Sequence, residues 1–122
     1  MMFTPLGLDH IVLRVQDQTR SQSFYLERLH CTVERVNPEI SLIQLRFGEH
    51  LIDLVPGRRS EDGLEHYCLS IRCDDLEALE TEFRLAGVPI ELGIEPRTGA
   101  WGRSPSFFIR DPDGYLIELK PR

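Results

Sequence analysis

The sequence repeats itself, and the repeat limits what the chain can fold into. Leu8-Asp9-His10-Ile11-Val12-Leu13-Arg14-Val15 returns as Leu64-Glu65-His66-Tyr67-Cys68-Leu69-Ser70-Ile71, and Leu51-Ile52-Asp53-Leu54-Val55-Pro56 returns as Leu116-Ile117-Glu118-Leu119-Lys120-Pro121. Apolar strands look alike, so either match alone says little. Two matches in the same order, each keeping a polar residue inside an apolar run, mark a duplicated supersecondary unit. Each copy has about 60 residues, too few to bury a comfortable core alone. One domain over 1–122 is therefore expected, built from modules at about 6–57 and 63–122.

Each module carries one helix signal and several strand signals. Asp17 can cap a helix through 20–29, with Phe24, Tyr25, Leu26 and Leu29 as its apolar stripe. Asp74 followed by Glu77 resembles a capping box; Leu76, Leu79, Phe83 and Ala86 then share a face, and Gly87 supplies a left-handed stop. Short β-rich runs follow at 32–36, 41–47 and 50–55, then at 89–92, 106–109 and 115–119. Asp111-Pro112-Asp113-Gly114 is a strong turn signal, and Gly48-Glu49 a weaker one. Each half thus reads as βαβββ. Strands outnumber helices and the hairpins are antiparallel, which makes the fold α+β and not a doubly wound parallel sheet.

Strand parity singles out four polar residues, because alternate residues share a face. His10 shares a face with Leu8, Val12 and Arg14; His66 shares one with Leu64, Cys68 and Ser70. Asp53 sits between Leu51 and Val55, and Glu118 between Leu116 and Lys120. A carboxylate in such a strand costs several kcal/mol if buried unpaired, so it needs a cation or a metal. Arg14, Arg46 or Arg110 could serve as an ordinary partner. The repetition favours the other reading. Two His and two carboxylates at equivalent places suit a divalent ion such as Zn, Ni, Mn, Co or Fe, and two His with one carboxylate already make a triad with open positions. His30, ending the first helix, and His50, beside a turn, need no ligand role.

Composition excludes other classes. Fourteen Lys and Arg against twenty Asp and Glu leave a net charge of −6, unsuited to nucleic acid. No run approaches the length of a membrane span, and the start Met1-Met2-Phe3-Thr4-Pro5 lacks the marks of a secretory signal. Cys31, Cys68 and Cys73 are odd in number and form no Cys-x-x-Cys, which fits free thiols in a cytoplasmic protein.

These residues resemble the vicinal oxygen chelate superfamily, which includes glyoxalase I, fosfomycin-resistance thiol transferases, extradiol dioxygenases and bleomycin-binding proteins. The resemblance spans nearly the whole chain. It is carried by Leu8-Asp9-His10-Ile11-Val12-Leu13, by Phe24-Tyr25 with Leu29, by Ala86-Gly87-Val88-Pro89-Ile90 and by Phe108-Ile109-Arg110-Asp111-Pro112-Asp113-Gly114-Tyr115-Leu116-Ile117-Glu118. It implies paired βαβββ modules whose curled mixed sheets form a cup around a divalent metal. His10 and His66 match the first-strand ligands, Glu118 the last-strand ligand, and Asp53 the place of a fourth carboxylate. Asp53 is one methylene shorter than the Glu usual there. His30-Cys31 stands where many relatives have Gly, and Tyr115 where many have Asn or His. Residues 97–102 look like a substrate-approaching loop.

The resemblance implies a metal-dependent lyase or isomerase of glyoxalase type, acting on a small molecule chelated through vicinal oxygens. Asp53 or Glu118 then moves a proton beside a polarised carbonyl. An extradiol Fe(II) dioxygenase is the alternative; it wants further acid–base groups, and parity turns Tyr67 and Tyr115 away from His66 and Glu118, with His50 the remaining candidate. A drug-sequestering protein without catalysis is a third reading. Trp101, Phe107 and Phe108 are candidates for an apolar pocket, with at least one of them in the core. Short members usually dimerise, so a homodimer with two metal sites is expected.

Overall fold

The computed structural model describes residues 2–122. The chain divides into two compact units, Met1–Arg58 and Arg59–Arg122. In the first, β1 (His10–Val15) leads into α1 (Gln18–Leu29), followed by β2 (Thr32–Asn37), a 3-10 turn (Pro38–Ile40), β3 (Leu42–Phe47) and β4 (His50–Pro56). In the second, β5 (Tyr67–Ile71) leads into α2 (Leu76–Leu85), then β6 (Ile90–Gly99), β7 (Gly102–Arg110) and β8 (Leu116–Pro121). The sheet orders are β1-β4-β3-β2 and β5-β8-β7-β6. In both, the first and last strands run parallel while the remaining pairs are antiparallel. The α+β class and the βαβββ reading are borne out as two mixed four-stranded sheets.

The register matters for function. A helix crossover returns the chain so that the last strand lies beside the first. His10 pairs with Leu51 and Val12 with Asp53, while Cys68 pairs with Glu118. Each parallel pair therefore brings the start of one strand and the middle of the other onto one face. The opposite face packs on the helix. In unit 1, Leu13, Val15, Leu45, Ile52 and Leu54 are buried with Tyr25 and Leu29 of α1. In unit 2, Leu69, Phe107, Ile109, Ile117 and Leu119 are buried with Phe83 of α2, whose ring meets Phe107 edge-on at 6.1 Å between centroids.

The helix ends follow local chemistry. Asp17 caps α1, its carboxylate accepting from the Arg20 N–H at 3.0 Å. His30 ends it in the left-handed region (φ 58°), the place a glycine usually fills. The cap of α2 is Asp75 and not Asp74: Asp75 accepts from the Ala78 N–H at 3.0 Å. Gly87 (φ 80°) makes the expected stop, and Asp111 accepts from the Asp113 and Tyr115 N–H groups, both at 2.9 Å, to build the last turn.

A second expectation needs correction. Residues 97–102 are not an open loop but the tip of a long β6–β7 ribbon, paired as far as Gly99 with Gly102. Pro96 and Pro105 stand opposite each other in it. A proline normally argues against a strand interior. Here Pro96 is on the edge strand, and Pro105 lies beyond the last β7·β8 pair, Phe107 with Leu119.

Candidate metal centre

Each unit brings its own histidine and its own carboxylate together. In unit 1, His10 Nε2 stands 3.9 Å from Asp53 Oδ2; in unit 2, His66 Nε2 stands 3.4 Å from Glu118 Oε1. Both carboxylates are buried, Asp53 at 3% exposure and Glu118 at 7%. Both imidazoles are partly open to solvent. Among the described residues no group of three or more His, Cys, Asp or Glu side chains is assembled, so the structural unit of the site is the pair.

The second ring nitrogen of each histidine is held in the same way. Asp9 Oδ1 lies 2.7 Å from His10 Nδ1, and Glu65 Oε2 contacts His66 Nδ1. A carboxylate on Nδ1 fixes the ring and leaves Nε2 as the outward donor, the arrangement that metal-binding histidines use. For His10 the Asp9 hydrogen bond also raises the pKa above the ordinary imidazole value, against a smaller opposing effect of burial.

Side chains from the neighbouring strands hold the carboxylates. The Gln44 amide donates to Asp53 Oδ2 at 3.2 Å, and the Arg35 guanidinium donates to Gln44 Oε1 at 2.8 Å. The Ser106 hydroxyl donates to Glu118 Oε2 at 2.7 Å, and Arg97 donates to Ser106 Oγ at 3.3 Å and also to its carbonyl. Arg46 instead pairs with Glu34, and Arg110 with Glu91, so these two arginines do not neutralise the strand carboxylates. Among the described residues one buried side-chain atom is left over: Asp53 Oδ1 has no hydrogen-bond partner. A buried carboxylate oxygen without a donor is costly, which is where a cation is wanted.

The donor set fits a metal. Two donors each about 2.0–2.2 Å from one ion in tetrahedral geometry stand about 3.4 Å apart. The His66–Glu118 separation matches that figure. The His10–Asp53 separation, 3.9 Å, is half an ångström longer.

Sequence reasoning missed Gln44, Ser106, Arg35 and Lys120. The run Ser106-Phe107-Phe108-Ile109 carried a signal, since a polar residue opens a fully buried strand segment. The three aromatic candidates separate: Phe107 is core, Phe108 meets the His66 ring edge-on at 5.1 Å, and Trp101 is exposed at the ribbon tip. His50 lies one residue out of step on β4, on the parity of Ile52 and Leu54 and not of Asp53. Tyr67 and Tyr115 are buried.

The family profile described as the Glyoxalase/Bleomycin resistance protein/Dioxygenase superfamily matches residues 7–119. The chain is 33% identical over 120 residues to virulence protein STM3117 of Salmonella typhimurium, covering 92% of this chain and 81% of that protein. It resembles the solved glyoxalase I of Leishmania major at 30% identity and a TM-score of 0.72, covering 96% of this chain and 87% of that one. It shares its fold with the fosfomycin resistance protein FosX of Listeria monocytogenes, at 20% identity and a TM-score of 0.74, over 98% and 95% of the two chains. The repeat, the paired strands and the matched profile have one explanation: the chain belongs to the glyoxalase/bleomycin resistance protein/dioxygenase superfamily.

Proposed function

We propose that the protein is a metal-dependent lyase or isomerase of glyoxalase type, acting on a small molecule that presents two neighbouring oxygens. The observation that carries this reading is the duplicated pair. In each unit an Nδ1-anchored histidine faces a buried carboxylate that is held from the next strand. His10 and Asp53 in one unit, and His66 and Glu118 in the other, are the residues that would hold metal. A divalent metal at such donors supplies Lewis-acid stabilisation of an oxyanion as it develops.

The chain's own residues do the rest. Ser106 holds Glu118 Oε2 and so aims Oε1 toward His66; Gln44 holds Asp53 Oδ2, the same oxygen that faces His10, leaving Oδ1 unsatisfied. Asp53 or Glu118 takes the proton from the carbon beside the substrate carbonyl and returns it to the neighbouring carbon. No observation favours the dioxygenase reading, because Tyr67 and Tyr115 are in the core and His50 is out of step with Asp53. A lactoylglutathione lyase name, given as probable, belongs to a Vibrio parahaemolyticus relative at 31% identity and supports the lyase.

The test is reconstitution. Chelator-stripped protein given Zn, Ni, Mn, Co and Fe in turn should bind one ion per chain by elemental analysis and isomerise an α-ketoaldehyde–thiol adduct. Failure to bind any of them ends this reading. Light scattering should find a homodimer, hence two ions per particle.

A further inference from the structure

Unit 2 keeps a second charge out of water. Lys120 lies two residues beyond Glu118 on β8 and is only 7% exposed. Its Nζ donates to the carbonyls of Arg97 and of Ser104, the latter at 2.7 Å. An ammonium has three N–H donors and a full charge. Two carbonyls occupy two of those donors but do not neutralise the charge. Among the described residues Lys120 has no ion pair, and Glu118, the acid on its own strand, is engaged by Ser106 and His66. Buried charges are usually paired, so an ammonium with no carboxylate in ion-pair contact among the described residues is a place for an anion.

Lys120 also lines a cavity of about 300 Å³, together with His66, Cys68, Trp101, Glu118 and Arg122. That volume is at the small end of the range for ligand sites. The Trp101 ring is 70% exposed at the ribbon tip, and the Arg122 guanidinium lies 4.6 Å from its centroid. Gly99 makes room for the lysine, because a Cβ there would stand 2.7 Å from Lys120 Cε. In unit 1 the residue two beyond Asp53 is Val55.

We propose that this cavity binds an organic anion, a carboxylate or a phosphonate carried on a flat apolar group. Lys120 is the counter-charge, Trp101 the platform and Arg122 a second cation at the rim. Anion binding stands on these residues alone. That the anion is the tail of the substrate, with its reactive end toward His66 and Glu118, rests on the function proposed above.

Trp101 is the only tryptophan in the chain, so its fluorescence reports on the cavity. Chelator-stripped protein is titrated with benzoate, phenylphosphonate and neutral benzamide. At least one anion should bind saturably and at least tenfold more tightly than benzamide, and the tighter of the two names the head group. Lys120→Met should weaken the anion at least tenfold and leave benzamide unchanged. Gly99→Ala, which keeps the charge but displaces Cε, should weaken it severalfold. Benzamide binding as tightly as both anions overturns the proposal without any variant. So does an unaltered affinity in Lys120→Met, or anion binding that appears only after a divalent ion is restored. Saturable binding in the stripped protein that survives His10→Ala upholds the anion site even where the metal reading fails.

Discussion

The two units solve one problem with different residues. Opposite Asp53 on β3 stands Gln44, whose amide reaches the carboxylate directly; opposite Glu118 on β7 stands Phe108, whose ring supports His66 instead. The hydrogen bond to Glu118 comes from Ser106, two residues along β7. In both units an arginine on the outer strand steadies the donor, Arg35 for Gln44 and Arg97 for Ser106. Unit 2 is the tighter half, with a shorter histidine–carboxylate separation and both Glu118 oxygens engaged. Unit 1 is the looser half, with a 3.9 Å separation and one orphaned oxygen. The difference teaches that unit 2 is built before a ligand arrives, while unit 1 has something to gain from one.

The largest effect should come from the histidines. His66→Ala and His10→Ala are each expected to lower metal affinity and turnover by at least about a hundredfold, since supporting residues alone contribute 10–100-fold. Dye-competition titration measures this. Equal affinity in His10→Ala and the parent would break the equivalence of the two units.

Support residues come next, and here the units should differ. Ser106→Ala is expected to weaken metal binding by roughly tenfold or more, and Gln44→Ala by less. The Ser106 hydrogen bond is shorter and buried, while that of Gln44 is only partly so. The reverse order would contradict the view that unit 2 is the more preorganised half.

A stability comparison isolates the orphaned oxygen. In metal-free protein Asp53→Asn removes a buried charge with an unpartnered atom and should stabilise by about 1 kcal/mol, or roughly 3–5 °C in Tm. Glu118→Gln keeps its Ser106 partner and should give no such rise. Differential scanning calorimetry decides, and a lower Tm for Asp53→Asn would remove the argument that unit 1 wants a cation.

The smallest effect concerns thiols. Burial pushes the Cys31 thiol up to about 12. A raised pKa means less thiolate at any pH below it, so folded protein at pH 8 should leave Cys31 unmodified by iodoacetamide while urea exposes it. The unfolded thiol ionises from about pH 9 and the folded one does not, so this group contributes a fall in stability as pH rises above 9. Mass spectrometry and a pH series of urea melts check the two statements.

Much of this was legible in the sequence, for a definite reason. The repeat and the parity of His10, Asp53, His66 and Glu118 depend only on strand alternation, which survives errors of a residue or two at strand ends. The α2 cap was displaced by one because Asp74 and Asp75 are both capping residues, and only geometry chooses. The β6–β7 ribbon was hidden by Pro96 and Pro105, whose harmlessness depends on where the β7·β8 ladder stops. Ser106 and Gln44 were invisible because cross-strand partners depend on register; Arg35 and Arg97 were further hidden because both outer pairings contain register shifts. Lys120 shares the parity of Glu118, but its burial depends on the bare Gly99 across the sheet.

The central claim is that both histidine–carboxylate pairs serve metal binding. Metal titration of the stripped parent beside His10→Ala, Asp53→Ala, His66→Ala and Glu118→Ala tests it most directly. One ion per chain in the parent, with affinity lost in variants of both units, is the predicted result. Full affinity retained in both variants of either unit would contradict it.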